Sequence, residues 1–176
     1  MLAGVLRGIN ETEESGVITY DWSTYTDNAQ PSGFSRIWGT EDVWRVNQSA
    51  SELDANPTIQ AGSSLTIGTM VDVDLLVSVS AATRKAGIGG TSHMGLVCRV
   101  SGPSLNGYFT SLYGETSGAK GIEISKYVNG TFIRLGNLSY PWVANKDYSI
   151  RLQAIGTTIR AKVWISGESE PAGWSV

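Results

Sequence analysis

The chain has 176 residues, a formal net charge of -3 and only 16% charged residues. With no cluster of Lys and Arg to neutralise phosphates it lacks the footprint of a nucleic-acid binder, and no apolar run approaches the roughly 20 residues a spanning helix needs. Its length suits one well-buried core, so 1–176 is read as a single domain, with 1–16 as an N-terminal arm.

Hydrophobic residues make up 41% of the chain, and 21 glycines accompany many Ser and Thr. That mixture suits short strands joined by tight turns, so the fold class expected is all-β. The opening MLAGVLRGINETEE lacks the basic and long apolar regions of a secretion signal. Cys98 is the only cysteine, which excludes an internal disulfide and leaves the redox compartment open. The N-x-S/T sequons at Asn10, Asn47, Asn129 and Asn137 arise by chance in so Ser- and Thr-rich a chain.

VITYDW at 17–22 reads as a first strand, followed by a turn-rich loop, DNAQPSG, at 27–33. FSRIW at 34–38 and VWRV at 43–46 bracket GTED and look like a hairpin. The polar stretch 47–62 reads as a surface loop, with a single helical turn at 51–54. Residues 64–67 form a short strand before the longest pattern in the chain, MVDVDLLVSV at 70–79. There Val71, Val73, Leu75, Val77 and Val79 fall on one side and Asp72, Asp74, Leu76 and Ser78 on the other, the signature of a strand with one apolar face.

The small, polar stretch 81–92 reads as a flexible loop. From His93 to Val100, Met94, Leu96, Cys98 and Val100 point inward, so Cys98 is read as a small core residue. Tyr108, Thr110 and Leu112 share the core side of the next strand, while Phe109, Ser111 and Tyr113 oppose it. Ile122 and Ile124 face inward on 121–128, and Asn129-Gly130 signals a tight hairpin into 131–135. A second, more regular hairpin sets Tyr148, Ile150, Leu152 and Ala154 against Ile159, Ala161 and Val163 across Gly156-Thr157-Thr158. About ten such strands pack best as two antiparallel sheets face to face.

Four segments in order resemble the concanavalin A-like lectin/glucanase jelly roll, in the laminin-G-like form found in phage and bacterial surface proteins. They are MVDVDLLVSV, GLVCRVSGPSLNGYFTSLY, IEISKYVNGTFIRL and YSIRLQAIGTTIRAKVWISGESEPAGW, together spanning about residues 66–174. DWSTYTDNAQPSGFSRIWG at 21–39 is similar to the opening of such domains in phage tail proteins. The resemblance implies a virion module on a tail, fibre or capsid surface, whose partners are other virion proteins or copies of itself, without nucleic acid or membrane insertion. It also implies host-surface carbohydrate as a ligand. Domains of this kind carry one further strand after Glu-Pro-x-x-Trp. Here another element must take its place, or the chain is cut from a longer polypeptide.

Catalysis by the glycoside hydrolases that share this fold needs a flanking pair of carboxylates, presented as Glu-x-Asp-x-Glu or a close relative. Asp72 with Asp74, and Glu168 with Glu170, do not form that signature, so the expectation is a protein that is not an enzyme. A secreted hydrolase or carbohydrate-binding module, extracellular rather than virion-borne, is the alternative. His93 is the sole histidine and reads as a loop-edge residue without a task. No cofactor is expected; calcium is the one ion the fold could take, with Asp72 and Asp74, or Asp21 and Asp27, supplying some of its oxygens. The face opposite the core is the candidate glycan site, since sugars lie on flat rings and bond planar polar groups. Arg99, Tyr113, Glu123, Arg151, Arg160 and Trp164 are the residues expected to form it, with Trp164 and Trp174 packing as a clasp as the plainer reading.

Overall fold

The computed structural model describes residues 6–7, 21–38, 44–50, 52–55, 64–66, 72–81, 92–101, 105–115 and 117–176. They form an all-β fold whose only helical pieces among the described residues are two 3-10 turns, Trp22–Thr24 and Gln48–Ala50. The strands are β1 (Leu6–Arg7), β2 (Ser35–Trp38), β3 (Trp44–Asn47), β4 (Glu52–Ala55), β5 (Ser64–Thr66) and β6 (Val73–Ser80), then β7 (Ser92–Ser101), β8 (Asn106–Gly114), β9 (Lys120–Val128), β10 (Thr131–Ser139), β11 (Asp147–Ile155) and β12 (Thr158–Ile165). A six-stranded sheet, β12-β11-β6-β1-β4-β3, packs against a four-stranded one, β10-β9-β8-β7; β2 and β5 pair separately. All pairings are antiparallel. The result is the expected two-sheet β-sandwich.

Strand β6 is the centre of this arrangement, bonded to β11 on one side and to β1 on the other. Val77 and Val79 are buried in the space between the sheets, while Asp72, Asp74 and Leu76 face water. The partners of these valines come from both layers: Met94, Leu112, Ile122 and Ile124 from the four-stranded sheet, and Tyr148, Ile150, Ala161 and Val163 from the six-stranded one. Each fully buried Leu or Ile contributes roughly 1.5–3 kcal/mol of transfer free energy, so the inter-sheet layer is the main source of stability. Cys98 joins this layer beside Leu152 and Ala154, and burial pushes its thiol up to about 11.

The β9–β10 and β11–β12 hairpins form where the alternation places them. Asn129 and Gly130 take φ of 50° and 78°, the left-handed pair that a two-residue turn matching the strand twist requires. Strand β10 then runs on to Ser139, past the expected end at 135, with a bulge between Arg134 and Gly136. In β7 the alternation holds through Cys98 and breaks at Arg99, whose φ of 52° shifts the register.

The first third of the chain departs more from expectation. Trp22 lies in a 3-10 turn capped by Asp21, buried against Tyr25 and Phe34, rather than in a strand. Strands β2 and β3 do not form a hairpin with each other: β2 pairs with β5, and β3 with β4. Residues 52–55, within the stretch read as a loop with a helical turn, form strand β4, and Leu53 is completely buried opposite Val46. One apolar residue in a polar stretch has no periodicity to announce it. Within 1–16 the described residues Leu6–Arg7 bridge β4 and β6. The strand expected over 17–20, Val71 and the loop over 82–91 lie outside the described residues.

The segment after β12 folds back along its free edge. Ser175 and Val176 both donate their N–H to the Ala161 carbonyl, at 2.8 and 3.0 Å, and the Val176 carbonyl accepts from Ala161 at 2.9 Å. Val176 also packs against the core. Residues 175–176 thus cover part of the β12 edge at Ala161.

Candidate functional site

The outward positions of the four-stranded sheet carry a polar cluster. Pairing sets His93 beside Tyr113, Ser111 beside Glu123, Glu123 beside Asn137, and Ser125 beside Arg134, all on the face opposite Leu112 and Ile122. Strand alternation turns these residues outward, yet most of them are covered. Glu123 is 0% exposed, and Tyr113, Ser111 and Phe109 are buried as well.

Glu123 is the hub. Its Oε2 accepts from Arg134 Nε at 2.6 Å, and its Oε1 lies 3.0 Å from His93 Nδ1. The His93 contact lacks hydrogen-bond alignment, so Oε1 is a buried acceptor without a hydrogen bond. Burial pushes the Glu123 carboxyl up, but His93 and Arg134 together outweigh it and hold the group below its ordinary range. Arg134 also reaches Glu115 at 3.5 Å and lies over the Tyr113 ring at 4.9 Å, and Asn137 donates to the Tyr113 hydroxyl at 3.1 Å. Tyr113 can lie this low because β9 has a glycine beneath it: a Cβ on Gly121 would stand 2.7 and 2.8 Å from the Tyr113 ring edge and hydroxyl.

An aromatic row borders the cluster. Phe109 meets Tyr127 edge-on at 4.9 Å, Tyr127 meets Phe132 at 5.5 Å, and Phe132 stands 6.2 Å from His93. Phe132 is 41% exposed, so the row ends at a ring that solvent or a ligand can reach. Burial, then the Glu123 charge, pushes the Tyr127 phenol up.

The arrangement of Ser111, His93 and Glu123 differs from a nucleophilic triad in one decisive respect. A triad hands the proton across the ring, with the hydroxyl on one nitrogen and the carboxylate on the other. Here Ser111 Oγ and Glu123 Oε1 both lie 3.0 Å from the same atom, Nδ1. With both groups on one nitrogen, the ring has no path to carry a proton from Ser111 across to Glu123.

The six expected site residues do not meet in one place. Tyr113 and Glu123 belong to the cluster just described, but as buried members rather than as surface. Arg151, Arg160 and Trp164 point from the opposite side of the sandwich, off the six-stranded sheet. Arg151 binds Asp74 through Nε and Nη2 at 2.7 and 2.8 Å and Glu170 through Nη1 at 2.8 Å. Arg160 donates to Gln153 at 2.6 and 2.9 Å and stacks over the Trp174 ring at 4.4 Å, with Lys162 over the same ring at 4.7 Å. Trp174 therefore clasps cations rather than Trp164, which is itself nearly buried at 9%. Arg99 lies at the end of the sandwich, held by Asp72 at 3.1 Å.

The carboxylates considered for calcium are engaged by protein donors. Asp72 accepts from Arg99 and Gly156, Asp74 from Arg151 and Gln153, Asp21 from Ser23 and Asp27 from Gln48. Among the described residues no group of three or more His, Cys, Asp or Glu could hold a metal ion, and no helix is long and apolar enough to cross a membrane.

Sequence reasoning set His93 aside and missed Arg134 and Asn137. The signal for Asn137 was the length of β10, hidden by the bulge at Leu135, which breaks the two-residue period. The signal for Glu123 was its place between Ile122 and Ile124, which marks the middle of a strand in the middle of a sheet. Comparison with family models, with curated proteins and with solved structures finds no match to this chain.

Proposed function

We propose that the chain is a non-enzymatic, lectin-like module of a virion surface, part of a phage tail, fibre or capsid, that holds host-surface carbohydrate on the outer face of its four-stranded sheet. The observation that carries the binding half is the juxtaposition of an exposed ring, Phe132, with His93, Arg134 and Asn137, all positioned by contacts to a buried carboxylate or phenol. A sugar needs a ring for its C–H face and fixed donors and acceptors for its hydroxyls, and both are present within one patch. The virion half rests on the sequence resemblance over 66–174, because a β-sandwich by itself does not specify a task.

Holding rather than cleaving a sugar is supported by the state of Glu123. A general acid in glycoside hydrolysis has a raised pKa and reaches the glycosidic oxygen. Glu123 is held in the opposite direction, and no part of it touches solvent.

A glycan array read with the wild-type chain, Phe132→Ala and Asn137→Ala tests the reading. Binding by the wild type that both variants lose supports it. A wild-type chain that binds no glycan removes the adhesive half, and cleavage of a bound polysaccharide replaces it with the secreted carbohydrate-active alternative. Mass spectrometry of purified phage particles tests the virion half.

A further inference from the structure

The outer face of the six-stranded sheet carries an ion-pair network that does not balance. Pairing sets Arg160, Gln153 and Asp74 in one row across β12, β11 and β6, with Lys162, Arg151 and Leu76 in the next. The segment after β12 lies over these rows. Glu170 binds Arg151 and Lys162, the Pro171 carbonyl accepts from Lys162, and the Trp174 ring rests on Arg160 and Lys162. Asp74 is taken up by Arg151 and Gln153. Three cations, Arg151, Arg160 and Lys162, thus meet two carboxylates, Asp74 and Glu170.

Arg160 is the cation left over. Arg99, Arg134 and Arg151 each contact a carboxylate, whereas among the described residues none contacts Arg160. Its Nε and Nη2 both donate to Gln153 Oε1, at 2.9 and 2.6 Å, which uses one edge of the guanidinium and fixes its plane. The other edge, Nη1 with the second hydrogen of Nη2, has no partner among the described residues. Gln153 is itself held, because its Nε2 donates to Asp74 at 2.8 Å and Arg151 clamps Asp74 in turn. Little freedom is therefore lost when the open edge is engaged. Residues 160 and 162 share one face of β12, so both cations lie under the same side of the Trp174 ring, at 4.4 and 4.7 Å. The ring is half-buried, and its other side is turned away from the sheet.

We infer that Arg160 and Trp174 form a second binding site, on the face opposite the patch around Phe132, for a saccharide that bears a carboxylate. Two parallel N–H groups on a planar guanidinium match the two oxygens of a planar carboxylate, while a neutral sugar leaves the cation unpaired. The Trp174 ring supplies the flat surface for the C–H face of the pyranose that carries the acid. Lys162 does not compete for the ligand, since it is buried and its ammonium is already bound by Glu170 and Pro171. The patch around Phe132 selects differently, because its arginine, Arg134, is already engaged by Glu123 and Glu115. The second site does not depend on that patch.

Titration calorimetry on the whole chain, with a tetramer of galacturonic acid and with its methyl ester, tests this. The acid is expected to bind, and the uncharged ester to bind about tenfold more weakly, as the loss of one charge-assisted bidentate contact predicts. Arg160→Lys, which keeps the charge and removes the fork, weakens the acid by a similar factor, while Phe132→Ala leaves it unchanged. In the unmodified chain, the Arg160 Nε–H and Trp174 indole N–H resonances shift as the acid is added. No binding of the acid, equal binding of acid and ester, or an Arg160→Lys variant that binds as the wild type does overturns the inference. So does equal binding of a poly-glutamate peptide, which would show charge without a sugar to suffice, or tighter binding of a sulfated dextran, which would put a sulfate on the fork. The acid–ester comparison and the resonance shifts stand even if Arg160→Lys fails to fold. Acid binding in a chain that holds no neutral glycan leaves this inference intact and removes the reading of the Phe132 patch; a neutral glycan lost with Phe132→Ala, in a chain that ignores the acid, does the reverse.

Discussion

Arg134 on β10 reaches across the strand pair to Glu123 on β9, Nε to Oε2 at 2.6 Å, and so ties the edge strand of the four-stranded sheet to a fully buried charge in its interior. The contact explains how a carboxylate survives without solvent on the outer face of a sheet. It also makes the edge strand part of whatever that face does.

Removing the cation should therefore cost more than removing the anion. Arg134→Met leaves Glu123 buried with His93 as the neighbour beside its other oxygen. Breaking a fully buried pair costs about 3–5 kcal/mol, and because Arg134 is a third exposed, a loss of about 2 kcal/mol is expected. Glu123→Gln, which keeps the shape and removes the charge, should cost less. Urea unfolding of the two variants checks the order, and equal losses would show that the pair is not held as described.

Acid should weaken the wild type more than Glu123→Gln. The folded-state pKa of Glu123 is depressed, so the unfolded chain takes up the proton first. Its stabilising contribution is fully present above the unfolded value of roughly 4.3 and is lost as pH falls through the folded value. Asp74 and Glu170, both held low chiefly by hydrogen bonds from Arg151 and Lys162, act in the same direction in both proteins. Unfolding midpoints followed from about pH 6 to about pH 3 should fall more steeply in the wild type. Parallel curves would count against the ion pair.

Gly121 should not tolerate a side chain. A Cβ there meets the Tyr113 ring and the Leu138 carbonyl, and the carbonyl cannot move without disturbing the β9–β10 ladder. Gly121→Ala is expected to destabilise by about 1–3 kcal/mol, as overpacking does. It should also weaken the Asn137 bond to Tyr113, visible as a shift of the Asn137 side-chain amide resonances.

Cys98 should be inert in the folded protein. Its thiol is buried, and desolvation holds it well above the ordinary thiol range. Ellman's reagent near neutral pH should release colour only after denaturant is added. Rapid reaction in buffer alone would mean that the strand opens locally.

Residues 175–176 should stabilise β12. Deleting Ser175 and Val176 removes three backbone hydrogen bonds to Ala161 and the Val176 contact with the core. A loss of roughly 2 kcal/mol is expected from the two together. Faster hydrogen exchange at Ala161 alone among the β12 residues that face this edge would locate the effect.

What the sequence determined by itself was the set of long strands and which side of each meets the core. Side chains alternate in every extended segment, so Val77 with Val79, Met94 with Cys98, and Ile150 with Leu152 could be assigned inward from local order alone. Short strands such as β4 escaped, because four residues around a single Leu53 contain too little period to detect. Tertiary structure alone decided whether an outward position is also an exposed one. Glu123 is turned away from the inter-sheet core and still meets no water, because Arg134, His93 and Ser111 meet it from three different strands. That convergence depends on pairing between residues 11 and 30 positions apart, and no local pattern encodes it.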